Sequence, residues 1–173
     1  MNSDQHSWWS KHGIALWGVV SVSLLLIQAL MRLTPHAFNA WQPGLMNPWH
    51  IALYLAWTLL NAYTEGYRAF QQRFCPRVLE RAYELQNNPR PLWVALALVY
   101  CMELAWAPRK RMLRAWILVL MIVLIVVVVR QLAQPWRGII DAGVVAGLSW
   151  GLLALWWQFG QGLLRSKVQT EYI

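Results

Sequence analysis

Two glutamates stand in apolar stretches of the sequence, where a carboxylate is costly. Glu65 follows the run LAWTLLNAYT, and Glu103 follows the run LWVALALVYCM. A charge in the hydrocarbon core of a bilayer costs several kcal/mol, ~3 on insertion scales, so an acid at membrane depth is a candidate site for an ion or a ligand. One interpretation is therefore a cavity on the cytoplasmic side between these two acids. Its other polar residues would be Asn61, Tyr63, Tyr67 and Arg68.

The depth of both acids supports a second interpretation. Glu65 lies fifteen residues after His50, about 22 Å along a helix that rises 1.5 Å per residue. Glu103 lies six residues before Arg109. Both positions are therefore close to a membrane boundary, where an acid is an ordinary interfacial group. In this interpretation Glu65 forms an ion pair with Arg68, three residues later, and neither acid has a function of its own.

No motif for catalysis or metal binding accompanies these acids. The four histidines contain no pair at i,i+4, and Cys75 and Cys101 form no CxxC motif. Neither HExxH nor GxSxG occurs in the chain. We therefore predict no catalytic residue, no metal and no cofactor, and an enzyme is the least favoured class of function.

A stripe of glycines predicts close helix packing near the end of the chain. Gly143, Gly147 and Gly151 recur every four residues and share one helix face. Small residues at this spacing let helix backbones approach closely, which favours helix association in lipid. The contact could form within the chain or between copies. Asp141 precedes the stripe, where it would complement the helix dipole or, alternatively, bind a coupling ion.

The elements that must position these groups are apolar helices. The 173 residues are 58% hydrophobic and only 13% charged, whereas soluble domains carry about 25% charged residues. The chain also has thirteen tryptophans, a residue that concentrates at membrane boundaries. We predict a single all-α transmembrane bundle over residues 1–173, without a separate soluble domain. Its apolar segments are 13–33, 50–74, 92–107, 115–129 and 139–159.

Residues 77–88 have the pattern of an amphipathic helix on the membrane surface. Val78, Ala82 and Leu85 recur at i, i+4 and i+7. Opposite charges follow at i,i+3 in the pairs Arg77/Glu80 and Arg81/Glu84. The helix predicted for 50–74 ends before this segment, because Pro76 should terminate it.

The basic residues separate two possible topologies. If residues 92–107 cross the membrane, the chain has five spans, with eight basic residues on one side and seven on the other. If this segment enters and leaves on one side, four spans remain, with twelve basic residues on the cytoplasmic side and three outside. The positive-inside rule favours four spans with a re-entrant or tilted third segment, and five spans are the alternative. Both arrangements place the N-terminus in the cytoplasm.

The net charge of +8 comes from residues between the apolar runs. Basic residues there meet anionic lipid headgroups, so we predict a lipid bilayer as the partner and no nucleic acid. We expect a multi-pass protein of a bacterial cytoplasmic (inner) membrane. The leading predicted function is an accessory or scaffold protein that associates with itself or with other membrane proteins. A small transporter or ligand-binding protein with a site at Glu65 and Glu103 is the alternative.

One stretch resembles a known membrane family. Residues 41–58, WQPGLMNPWHIALYLAWT, are similar to the proline- and tryptophan-rich start of the second helix in the translocator or tryptophan-rich sensory family. That resemblance implies binding of porphyrin or sterol-like ligands. The later segments carry no counterpart of the family's tryptophan- and asparagine-rich pattern, so ligand binding of this kind is kept as a minor alternative.

Overall fold

All the regular structure of the described residues is helical. A computed structural model describes residues 3–44 and 46–171 and contains no strand in these ranges. The elements in chain order are α1 (Ser3–Asn39), α2 (Pro48–Asn61), a π-helical segment (Ala62–Phe74), α3 (Cys75–Asn87), α4 (Pro91–Ala95), α5 (Ala97–Cys101), α6 (Arg109–Val129) and α7 (Trp136–Glu171). The prediction of an all-α protein is confirmed.

Three of the described helices are long and apolar enough to cross a membrane. They cover Gly13–Asn39, Arg109–Val129 and Trp136–Leu164. Each contains one of the apolar segments predicted from the sequence, and together they are compatible with a membrane protein. The predicted segment 50–74 is divided between α2, which has only 14 residues, and the π-helical segment.

The path from α2 to α3 is one continuous helix with a change of winding. Asn47 caps α2, and its backbone N–H donates to Nδ1 of His50 at 3.3 Å. Ala62 and Cys75 keep right-handed helical φ and ψ, so the chain continues through both boundaries of the π-helical segment. The expectation that Pro76 terminates the helix is wrong, because Pro76 occupies the first turn of α3, where its missing N–H matters least.

Helix α7 is the centre of the bundle. It runs antiparallel to α1, since Gln134, just before α7, donates a hydrogen bond from Nε2 to the carbonyl of His36 near the end of α1. It runs parallel to α2 and the π-helical segment, which lie along its glycine face. The end of the bundle formed by residues 36–44, 46–50 and 131–141 is called the connection end below.

The opposite end is built from α3, α4, α5 and the first turn of α6, and is called the platform end. The apolar residues of α3 at 78, 82 and 85 are buried, but they pack in a cluster with α1 and α5. They do not face lipid, as a helix on the membrane surface would require. Gly18 of α1 permits this contact, because a Cβ there would lie 3.0 Å from Sγ of Cys101 and 3.4 Å from Cβ of Ala82.

Residues 92–107 do not form the single helix that the sequence predicts. Helices α4 and α5 have five residues each, and the chain breaks between them at Leu96. Turns and bends follow up to Pro108, with Glu103 at φ 58° and Trp106 at φ 55°. The left-handed conformation costs a non-glycine residue roughly 1–2 kcal/mol, so tertiary contacts must hold this segment.

Helix α6 stands apart from the bundle. None of its residues is buried, and it makes no extended contact with another helix. Two polar contacts fasten its beginning to the platform end: Nη1 of Arg111 donates to Glu103 at 3.2 Å, and Nε1 of Trp116 donates to the carbonyl of Leu104 at 3.1 Å. The rest of the helix is open to its surroundings on every side.

Candidate functional site

The glycine face of α7 is covered within the chain by α2 and the π-helical segment. An ideal Cβ would lie 2.7 Å from Trp57 at Gly143, 3.0 Å from Cβ of Glu65 at Gly147, and 2.6 Å from Phe70 at Gly151. Real Cβ atoms essentially never approach closer than 3.0 Å, so the packing at Gly143 and Gly151 requires glycine, and the contact at Gly147 lies at this limit. Because the stripe is already occupied, it offers no open face to another membrane helix.

Polar contacts reinforce the same interface. Nε1 of Trp150 donates to Oε1 of Gln71 at 2.7 Å, and Nε2 of Gln158 donates to the carbonyl of Gln71 at 2.8 Å. The π-helical segment also contributes a glycine to this interface, because a Cβ on Gly66 would lie 2.7 Å from Cβ of Trp150 in α7. Small residues and interhelical hydrogen bonds are the two features that hold membrane helices together, and both occur here.

Glu65 lies at this interface with its carboxylate exposed. Among the described side chains it has neither a hydrogen bond nor an ion pair, and the expected contact with Arg68 is not formed. The π-helical winding places more residues in each turn, so residues three apart no longer face each other. Tyr67 stacks on Tyr63 at 5.9 Å, and the Asn61 amide donates to the carbonyl of Trp57 on its own helix.

Glu103 is buried at the platform end between two arginines. Its side chain is 8% exposed, and its Oε1 lies 3.2 Å from Nη1 of Arg111 and 3.6 Å from Nε of Arg81. Nη1 of Arg81 also contacts Oε2 of Glu84 at 2.7 Å, and the hydroxyl of Tyr100 donates to the same oxygen at 3.3 Å. This network links α3, α5 and α6, and it contains no contact with Glu65.

The two acids of the proposed cavity therefore have different surroundings. Glu65 lies against Gly147 of α7, whereas the carboxylate of Glu103 is bound by arginines of α3 and α6. The interpretation that they face each other across one site gains no support from these contacts. Sequence spacing indicated the Arg81/Glu84 pair, but nothing in the sequence indicated Arg81 and Arg111 as partners of Glu103.

The charges of the network favour a structural role for the platform end. Burial lowers the pKa of the Arg81 guanidinium, but hydrogen bonding and attraction from Glu84 outweigh this effect and leave the pKa above its usual value. Burial raises the pKa of the Cys101 thiol to about 12, although the charge of Arg81 opposes the change. The thiol is protonated at neutral pH and is a poor nucleophile there.

A second buried acid lies at the connection end. Asp141 is 4% exposed, and its Oδ2 lies 3.7 Å from Nε of Arg137 one turn earlier in α7. Neither of these two atoms has a hydrogen-bond partner in the described part of the chain. No group of three or more His, Cys, Asp or Glu in residues 3–44 and 46–171 has an arrangement that could hold a metal ion.

Comparison with known proteins does not add a family to this description. The chain matches no family model, no curated protein and no solved structure.

The beginning of α6 carries a group of cations that have no acidic partner among the described side chains. Arg109, Lys110 and Arg114 are exposed and form no ion pair. Of the four cations at the beginning of α6, only Arg111 contacts an acid, Glu103. The N-terminal end of a helix has a partial positive charge, so these residues are unfavourably placed with respect to the helix dipole. An external anion would relieve this repulsion, which makes the basic end of α6 (Arg109, Lys110 and Arg114) a candidate surface for binding one.

Proposed function

We propose that the protein is a non-enzymatic membrane protein that crosses the bilayer four times and binds anionic phospholipid at the basic end of α6. The observation that carries the proposal is a helix that is unburied along its whole length and apolar over residues 115–129, and whose first two turns hold three cations without an acidic partner among the described side chains. In this role the protein is an accessory component of a bacterial cytoplasmic membrane that acts by association.

The proposed crossings are α1, the path through α2 and the π-helical segment, α6, and α7. Residues 75–108 stay at the platform end in this arrangement. Three contacts support it: Nε1 of Trp17 donates to the carbonyl of Val94 at 3.0 Å, and Glu103 binds one arginine of α3 and one of α6. In this arrangement the side of the membrane that holds the platform end has twelve of the fifteen basic residues, so the positive-inside rule favours a cytoplasmic platform end.

Lipid is a better occupant for α6 than another helix. Residues 116–129 contain no Gly, Ala, Ser or Thr, so α6 lacks the small residues that let helices approach closely. Its side chains are large and apolar on all sides, which suits acyl chains. The first turn of α6 then lies among the lipid headgroups, where the phosphates of anionic lipids can pair with its cations.

Removing two cations from the basic end of α6 is expected to weaken binding of anionic lipid. Each Lys or Arg near the surface contributes about 1 kcal/mol, so Lys110→Gln with Arg114→Gln should lower the affinity by about 2 kcal/mol, roughly thirtyfold. The measurement is a titration of the detergent-solubilised protein with fluorescent phosphatidylglycerol, with phosphatidylcholine as the uncharged reference.

The matched control is Arg32→Gln with Arg130→Gln, which removes the same charge from exposed positions toward the connection end. This control should bind phosphatidylglycerol within about twofold of the unmodified protein, since a change of 0.4 kcal/mol is about twofold. Equal weakening by both double variants would show that only net charge matters and would reject a site on α6.

A further inference from the structure

The carboxylate of Asp141 is a buried charge of α7 that its surroundings compensate only in part. Its side chain is 5% exposed, and its Oδ2 accepts no hydrogen bond in the described part of the chain. The nearest cationic atom, Nε of Arg137, lies 3.7 Å away, which is beyond hydrogen-bonding distance. The contact is therefore electrostatic attraction without a hydrogen bond.

The two members of this pair differ in their access to water. The Arg137 side chain is 24% exposed and keeps part of its hydration, whereas the acid is almost dry. Water around the guanidinium screens its charge and weakens its effect on the carboxylate. The attraction to Arg137 therefore offsets only part of the free energy that desolvation of an ionised Asp141 costs.

The other titratable groups around Asp141 come from the helices packed on α7. From α1, His36 packs beside the start of α7, where a Cβ on Gly138 would lie 2.9 Å from the His36 carbonyl oxygen. From α2, His50 packs its ring edge-on against Trp136, with 5.4 Å between the centroids. The π-helical segment brings Glu65 against Gly147, six residues farther along α7, and α3 packs at the opposite end of the bundle. No second acid faces Asp141 from these contacts.

We propose that Asp141 is a proton-binding site at the connection end of the bundle. A proton from water adds to the carboxylate and forms a neutral carboxylic acid, which removes the cost of a dry negative charge. A metal ion fits the site less well, because it would add positive charge beside Arg137 and because no group of three or more His, Cys, Asp or Glu among the described residues could hold it. A proton fits both the burial of the site and its loose ion pair.

The composition of the chain makes this site directly observable. Aspartate occurs only at positions 4 and 141. The full-length protein, labelled with carbon-13 at the aspartate side-chain carboxyl and placed in lipid nanodiscs, should give two carboxyl signals in an NMR pH titration. The variants Asp4→Asn and Asp141→Asn each remove one signal and assign the other.

We expect the Asp141 signal to remain at its carboxylic-acid position at a pH where the Asp4 signal has already moved to the carboxylate position. An Asp141 signal that moves together with Asp4, or at lower pH, would overturn the proposal. The substitution Asp141→Asn keeps the size and neutrality of the protonated acid, so the variant should fold like the parent protein.

A second variant tests the role of Arg137. With Arg137→Gln the attraction that favours the carboxylate is lost, so Asp141 should keep its proton to still higher pH than in the parent. The matched control is Arg130→Gln, which removes an exposed cation outside α7 and should leave the Asp141 titration unchanged. A titration that Arg137→Gln leaves unchanged or moves to lower pH would contradict the placement of the site.

Discussion

Alanine at position 151 is expected to destabilise the protein by about 1–3 kcal/mol, the usual effect of an extra methyl group in a well-packed contact. The added Cβ would lie 2.6 Å from Cγ and 3.0 Å from Cβ of Phe70, so the side chain and the π-helical segment must both move. The movement would also disturb the contact between Sγ of Cys75 and the carbonyl of Gly151 at 3.6 Å. Unfolding by sodium dodecyl sulfate in mixed micelles, followed by circular dichroism, measures the loss.

Gly160 supplies the matched control on the same helix. A Cβ at this position meets nothing within 4 Å, so Gly160→Ala adds the same methyl group without a clash. Its stability should be unchanged or higher by up to about 1 kcal/mol, because alanine is the better helix former. Equal stability of the Gly151→Ala and Gly160→Ala variants would show that the glycine face does not pack within the chain.

Glutamine at position 103 is expected to destabilise the platform end by about 2–4 kcal/mol. The Arg81 side chain is only 10% exposed, and it would lose one of its two acidic neighbours. Removing one partner of a buried ion pair costs about 3–5 kcal/mol, and the remaining contact with Glu84 reduces this loss. Arg111 adds little, since its side chain is 50% exposed and water replaces the lost contact.

Glu80→Gln is the control for this second prediction. Glu80 is an exposed acid of α3 that has no ion pair among the described residues, so its loss should change the stability by less than about 0.5 kcal/mol. Thermal unfolding of both variants in the same detergent gives the comparison. If the two substitutions have the same effect, Glu103 does not hold the platform end together.

The apolar helices could be predicted because membrane insertion depends on the length and hydropathy of a segment. The segments 13–33 and 139–159 meet that requirement without any knowledge of neighbouring helices, and 115–129 meets it when the flanking residues of α6 (Arg109–Val129) are included. The segment 92–107 is also apolar, but its break at Leu96 and its left-handed residues depend on contacts with α1, α3 and α6. Such contacts join residues far apart in the chain, and periodicity does not encode them.

In the candidate sites too, features set by neighbouring residues could be predicted, whereas contacts between residues far apart in the chain could not. The glycine spacing marks a face for close packing, and the structure supplies its partner, the π-helical segment. For Glu65, the expected pairing with Arg68 assumed α-helical winding, and no sequence pattern signals the change to a π-helix. For Glu103, counting residues predicted a position near a membrane boundary. Its contacts with Arg81 and Arg111 join distant parts of the chain, and residue spacing does not indicate them.

In the four-crossing arrangement, residues 75–108 remain on one side of the membrane, between two crossings. Sided labelling of single cysteines tests this placement most directly, with Arg90→Cys and Arg109→Cys introduced into a chain whose Cys75 and Cys101 are replaced by alanine. An impermeant maleimide should label both positions only from the cytoplasmic side, and a cysteine at Asn39 only from the other side. Labelling of positions 90 and 109 from opposite sides would contradict the four-crossing arrangement.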